Sequence, residues 1–177
     1  MEYIRYYESP LGRILMSCDG KALNGLWFVD QKYCALTLSE EHQEKNTAVF
    51  DRASEWLDIY FQGREPDFTP PLAMKTTPFR KKVWEILLTI PYGQTMTYGG
   101  IAGRLAAEKG LSHMSAQAVG GAVGHNAVSL IIPCHRVVGT DGSLTGYAGG
   151  IDRKVKLLTL EKVNMSSLFV PKKGTAL

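Results

Sequence analysis

Residues 133–137 read Pro-Cys-His-Arg-Val and follow the apolar run Leu130-Ile131-Ile132. A thiol beside an imidazole is a candidate nucleophile. The thiolate is the reacting form, and a basic or cationic neighbour raises its population near neutral pH. Cys134 is therefore the first candidate for chemistry, with His135 its candidate base. Neighbours on an extended strand point to opposite faces, so this pair cooperates only if Pro133 starts a turn or a water links the two groups. The other cysteines, Cys18 and Cys34, lie at unrelated spacings. Three such thiols predict reduced cysteines in a cytoplasmic protein, not a disulfide framework.

The elements that must position these residues fall into two parts. Tyr3–Glu8, Arg13–Cys18 and Leu23–Val29 read as strands separated by Ser9-Pro10-Leu11-Gly12 and Asp19-Gly20, a small antiparallel meander. Over residues 47–62 the period changes: Val49, Phe50, Ala53, Trp56, Leu57, Tyr60 and Phe61 make one face of an amphipathic helix that Gly63 stops. A helix on a small sheet is an α+β unit. Residues 64–76, with Pro66, Pro70 and Pro71, read as a linker. Helices are then expected from Thr77-Pro78 to Ile90, from Thr97 or Tyr98 to about Ala107, over 113–124, and from Arg153 to Val163. Leu130–Ile132 is expected to be a short buried strand or extended segment, Gly139–Gly150 a glycine-rich loop, and 164–177 a tail without periodicity. The expected divisions are 1–73, 74–163 and 164–177.

The charge is divided in the same way. The whole chain carries +3, but residues 1–73 carry net −5 and residues 74–177 net +8. The basic part either faces a polyanion or docks on an acidic surface. Arg80, Lys81, Lys82 and Lys109 are candidate phosphate contacts or solvated helix charges. At 45% hydrophobic and 21% charged the chain can bury a core, and no apolar run approaches a membrane span.

The helices at 98–107 and 113–124 read as a helix-turn-helix. The second is almost free of bulk: Ser115, Ala116, Ala118, Gly120, Gly121, Ala122 and Gly124. Three glycines destabilise a helix. Either it packs tightly in a core, which the residues alone favour slightly, or its backbone approaches a ligand.

The run Pro133-Cys134-His135-Arg136-Val137 resembles the active-site signature of the O6-alkylguanine-DNA alkyltransferases, the methylated-DNA–protein-cysteine methyltransferases. Further matching residues extend from Thr77 to Glu161. The resemblance implies an α+β chain: a small ribonuclease-H-like N-terminal sheet with a helix, then a mainly helical, winged-helix-like C-terminal domain. It implies DNA repair by stoichiometric transfer of an alkyl group from O6-alkylguanine, and from O4-alkylthymine, in double-stranded DNA to Cys134. It also implies a glycine-rich helix entering the minor groove, with Ser115, Ala116, Gln117, Ala118, Gly120 and Arg136 contacting DNA. A flipped base would be held by Val137, Tyr147, Ala148 and Gly149.

In that family a histidine acts through water and is oriented by a glutamate, here His135 and Glu161. Tyr98 matches a tyrosine near the guanine, Lys154 a lysine near the site, and Asn126 an asparagine joining the helix-turn-helix to the active-site strand. Read without the resemblance, these four are a surface helix charge (Glu161), a core tyrosine, an exposed lysine and a helix C-cap. Gln117 stands where most relatives carry an arginine that fills the vacated stack, which removes a positive charge from base flipping. The loop around Glu108–Leu111 is longer than usual. The chain is expected to need no cofactor and no metal, because Cys18 lacks the partners of the zinc site that some relatives carry. A monomer acting in the cytoplasm, away from membranes, is expected. Three other readings remain: a non-catalytic alkyltransferase-like lesion binder, against which Cys134 argues; a cysteine hydrolase; and a transcriptional regulator.

Overall fold

Alternation in Glu2–Ser9 and the near-continuous apolar runs of the next two segments form a sheet. The computed structural model describes residues 1–172, and its chain divides into two units. The first is Met1–Lys75 with Ala127–Ile131; the second is Thr76–Asn126 with the residues from Ile132 onward. In the first unit, β1 (Glu2–Ser9), β2 (Gly12–Cys18) and β3 (Leu23–Phe28) form the expected antiparallel meander. A fourth strand, β4 (His42–Glu44), pairs parallel to β1 and gives the order β3-β2-β1-β4. Its three residues are exposed and polar, so no alternation marked it.

Helix α1 (Ala48–Phe61) packs on β1, β2 and β3. Thr47 caps it by accepting from the Phe50 amide, and Val49, Phe50, Ala53, Trp56, Leu57 and Tyr60 are buried. Burying such side chains contributes roughly 1.5–3 kcal/mol each before entropy is counted. Residues 127–131 join this unit because the Leu26 amide donates to the Ala127 carbonyl (2.8 Å) and the Ser129 amide to the Leu26 carbonyl (2.9 Å). Leu130–Ile132 is thus not a strand but a turn, with Leu130 at φ 71. Reading the chain in consecutive blocks misses this excursion.

In the second unit, Thr77 caps α2 (Pro78–Leu87), whose first residue is the proline that suits that position. The helix stops short of Ile90, since a residue before proline is pushed out of the helical region; turns from Ile86 and Leu87 carry the chain to Pro91. Then come β5 (Met96–Thr97), α3 (Tyr98–Glu108) and α4 (Ala116–Gly124). Helix α4 begins three residues later than its composition suggested, because Ser115 is its cap and accepts from the Ala118 amide. Helices α2, α3 and α4 pack on one another, and Trp84 donates its indole N–H to the Ala122 carbonyl at 2.9 Å.

The chain next forms a 3-10 turn (Cys134–Arg136), β6 (Val137–Val138) and α5 (Ile151–Leu160). β5 and β6 pair in parallel, Met96 with Val137 and Thr97 with Val138. Two-residue strands carry no readable period, yet this pair sets the start of α3 beside the end of the Cys134 turn.

The segment after α5 is not a structureless tail. Val163, Met165 and Leu168 pack against Val138, Leu144 and Leu158, and Phe169 pairs with Ser143. The last five residues of the expected tail lie outside the described residues. Among the described residues, no helix is long and apolar enough to cross a membrane.

Candidate active site

Pro133 does start a turn. The Cys134 amide donates to the Ile132 carbonyl (2.8 Å), the Arg136 amide to the Pro133 carbonyl (3.0 Å) and the Val137 amide to the Cys134 carbonyl. A 3-10 turn rotates successive side chains by about 120°, so Cys134 and His135 are no longer held on opposite faces. All three residues of the turn are buried, and Cys134 keeps 5% of its surface exposed.

Helix α5 supplies the next groups. Lys154, Leu157, Leu158 and Glu161 recur at i, i+3, i+4 and i+7, one face of the helix, and all four are buried. Glu161 is therefore not a surface charge. Its Oε2 lies 2.5 Å from His135 Nε2. Its Oε1 accepts from Arg136 Nε at 2.7 Å and from the Gly93 amide at 3.1 Å. Burial opposes ionisation of Glu161, but His135 and Arg136 outweigh it and hold the carboxyl down at about 2. Burial also pushes the His135 imidazole below its ordinary value despite Glu161. A neutral imidazole facing a carboxylate carries its proton on the facing nitrogen. Nε2–H thus donates to Glu161, and Nδ1 is left as the basic nitrogen.

The thiol rests protonated. Burial raises Cys134 above its ordinary value, opposed by Asn126, the Lys154 charge and backbone amides. Asn126 Nδ2 donates to the Ile132 carbonyl at 2.7 Å. It thereby ties the two points at which the chain leaves and re-enters the second unit. His125, not Asn126, is the C-cap of α4.

Lys154 is fully buried, and its Nζ donates to the carbonyls of Val137 (2.5 Å) and Thr145 (2.9 Å). Burial lowers it to about 8, against the pull of Cys134. The Tyr98 hydroxyl donates to the same Thr145 carbonyl at 3.2 Å. Burial first, and then the nearby thiol, push that phenol up to about 12, so it keeps its proton at neutral pH. The Tyr147 ring stands edge-on to the His135 ring, centroids 6.4 Å apart. Gly149 leaves it room: a Cβ there would sit 2.6 Å from the tyrosine ring. Ala148 is half-buried beside it.

The structure thus brings Cys134, His135, Glu161, Tyr98, Asn126, Lys154, Val137 and Tyr147 into one connected set. It removes Arg136 from the DNA-facing group. That side chain is buried, with Nε on Glu161 and Nη1 on the Ile90 carbonyl at 2.8 Å; its guanidinium balances the carboxylate. Gly93 and Thr145 belong to the set as well. Both act through backbone atoms, which residue type does not announce.

Helix α4 presents Ser115, Ala116, Gln117 and Ala118 as exposed residues, while Val119, Ala122 and Val123 face inward. A Cβ at Gly121 or Gly124 would meet nothing within 4 Å, and one at Gly120 only the Tyr98 ring at 4.0 Å. Tight packing therefore does not require these glycines, and the other reading, close approach of something outside, is the one the geometry favours.

An enclosed thiol, a carboxylate-held imidazole and a helix-turn-helix with a bare outer face define a class: a cysteine-nucleophile protein with a nucleic-acid-binding type of fold. The 6-O-methylguanine DNA methyltransferase family is represented by two models, the DNA binding domain matching residues 78–163 and the ribonuclease-like domain matching residues 3–74. The methylated-DNA–protein-cysteine methyltransferase of Mycobacterium tuberculosis is 41% identical over 162 residues, covering 92% of this chain and 93% of its own. That of Methanosarcina acetivorans is 41% identical, covering 90% and 97%. A crystal structure of M. tuberculosis OGT in complex with DNA matches with a TM-score of 0.78 at 41% identity, covering 90% of this chain and 92% of that one. The chain belongs to the methylated-DNA–protein-cysteine methyltransferase family.

Proposed function

We propose that this chain repairs DNA by direct transfer of an alkyl group from O6-alkylguanine, and from O4-alkylthymine, to Cys134, once per molecule and as a monomer. The observation that carries the reading is the Glu161–His135 pair beside Cys134. It leaves an imidazole nitrogen basic next to a thiol that rests protonated.

His135 Nδ1 takes the thiol proton, directly or through one water. The sulfur attacks the alkyl carbon, a C–S bond forms, and the carbon–oxygen bond breaks with its electron pair going to guanine. The Tyr98 hydroxyl, which has one proton to donate, turns from the Thr145 carbonyl to that developing negative charge as the base enters. The ammonium of Lys154 favours the thiolate. The product is a thioether, which water does not readily cleave, so the acceptor is consumed.

The reacting oxygen lies inside the duplex, so the base is rotated out. Tyr147 covers it, and the Ala148 amide meets its oxygen. The Cys134 and Val137 carbonyls each already accept one donor; a carbonyl oxygen has two lone pairs, so each retains one for the exocyclic amine. The bare face of α4, with Ser115, Ala116, Gln117, Ala118 and Gly120, lies in the minor groove, and Gln117 fills the vacated stack. That a similar protein was crystallised in complex with DNA supports DNA as the partner.

Intact-protein mass after incubation with duplex DNA containing O6-methylguanine tests the reading. One added methyl is expected, and none in Cys134→Ala. Binding with no mass gain would favour a lesion sensor instead.

A further inference from the structure

Residues 165–169 engage the loop that leads to Tyr147 with backbone and side chains together. The Leu144 amide donates to the Phe169 carbonyl at 2.8 Å, and the Phe169 amide donates to the Gly142 carbonyl at 3.1 Å. Gly142 sits at φ 91, and a Cβ there would strike the Ser167 carbonyl. Leu168 and Met165 pack on Val138, Leu144 and Leu158. The Phe169 side chain itself is 45% exposed, so the backbone pairing, not burial of that ring, accounts for its place.

One residue beyond Leu144, the Thr145 carbonyl accepts from both Tyr98 and Lys154. The loop is therefore pinned on one side by the site and on the other by this late segment, two residues before Tyr147. We propose that Met165–Phe169, through Leu168 and the Phe169 backbone, is a positioning element that sets the register of the 142–148 loop and so the placement of Tyr147 and Ala148 over the base. The role rests on the alkyl-transfer reading, but its mechanical part does not.

Two variants test it from opposite sides: Leu168→Ala removes the packing, and Gly142→Ala pushes on the Ser167 carbonyl. At saturating methylated duplex, each is expected to slow transfer about tenfold or more, since small misplacements near reacting atoms are costly. DNA affinity should change by less than about twofold, and alkylation of Cys134 by iodoacetamide, which needs the thiol but no base pocket, should not slow. Amides 144–148 should exchange faster with solvent in both variants, and Leu168→Met should restore transfer. Unchanged transfer in both variants would overturn the proposal. So would loss of transfer and DNA binding together with faster iodoacetamide alkylation of the exposed thiol, which would mark general unfolding. If the wild-type protein accepts no methyl, the alkyl-transfer reading falls. Exchange at 144–148 then decides the positioning role, faster exchange supporting it and unchanged exchange overturning it.

Discussion

The two units bury glutamates in different ways. In the first, Glu2 accepts from Asn24 (2.9 Å), the Ser39 amide (2.7 Å) and Lys75 (2.9 Å), and the Lys75 side chain remains 48% exposed. Water still reaches one partner, and the rest of that unit's core is largely apolar. In the second, Glu161, His135, Arg136 and Lys154 are buried together around a thiol. Charges taken from water are poor sources of stability. A protein that only needed to fold would fill that space with apolar side chains. The first unit is organised for folding, and the second carries an electrostatic arrangement that makes sense as chemistry.

The sharpest way to break this contrast is one substitution made in both places. Glu161→Gln leaves the Arg136 guanidinium buried without its counter-charge, which should destabilise the second unit by about 3–5 kcal/mol. It also releases the His135 tautomer, so transfer should slow by about 100-fold or more. Glu2→Gln should cost about 1 kcal/mol or less and leave transfer unchanged. Calorimetry and single-turnover rates measure both. Equal effects would erase the distinction.

Acid should act next most strongly, and mainly on the second unit. His135 is depressed in the folded state, so the unfolded chain takes up the proton first. Stability therefore falls as pH drops below the ordinary histidine value of about 6.5. Glu161 is depressed to about 2. Its contribution is fully present above the ordinary carboxyl value of about 4.3 and is lost as pH falls from there toward its folded value. Transfer should decline with acid at a pH below 6.5, as the imidazole loses its free base form. Urea titrations at pH 7 and pH 5, with a pH–rate profile, check the sign. A rate that rises with acid would contradict it.

Helix α4 sharpens the comparison further. At Gly121 an added methyl meets no atom of the chain. Gly121→Ala should stabilise the protein by about 0.5–1 kcal/mol through helix propensity, while weakening DNA binding severalfold. Thermal melting and fluorescence anisotropy would show the opposite signs. A gain in both would remove the close-approach account. The smallest effect is expected at the exposed Gln117. Gln117→Arg should tighten binding modestly and steepen its salt dependence by about one released counterion.

Much of this was legible in the sequence. The Cys134-His135 pair, the amphipathic α1, the Thr77-Pro78 helix start and the helix-turn-helix all rest on side-chain type and period. Glu161 and Lys154 were reached only through the resemblance. Read from the residues alone they are a surface charge and an exposed lysine, and the structure shows instead that they share a buried helical face with Leu157 and Leu158.

Arg136 was misplaced because a cation next to a nucleophile reads equally well as a phosphate contact or as an internal counter-charge. Only the fold shows that Glu161 and the Ile90 carbonyl surround it. The 3-10 turn, β5 and β6 are too short to leave a pattern. Gly93, Thr145 and the Phe169 backbone contribute amides and carbonyls that every residue possesses. The excursion of 127–131 into the first unit is a long-range pairing that no local signal encodes.

The most direct test of the central claim is a titration with excess methylated duplex, followed by peptide mapping of the protein. The expected result is a plateau at one methyl per chain, all of it on Cys134, with one lesion repaired for each methyl bound. Repair that continues past equivalence, or a methyl found on Cys18 or Cys34 instead, would contradict it.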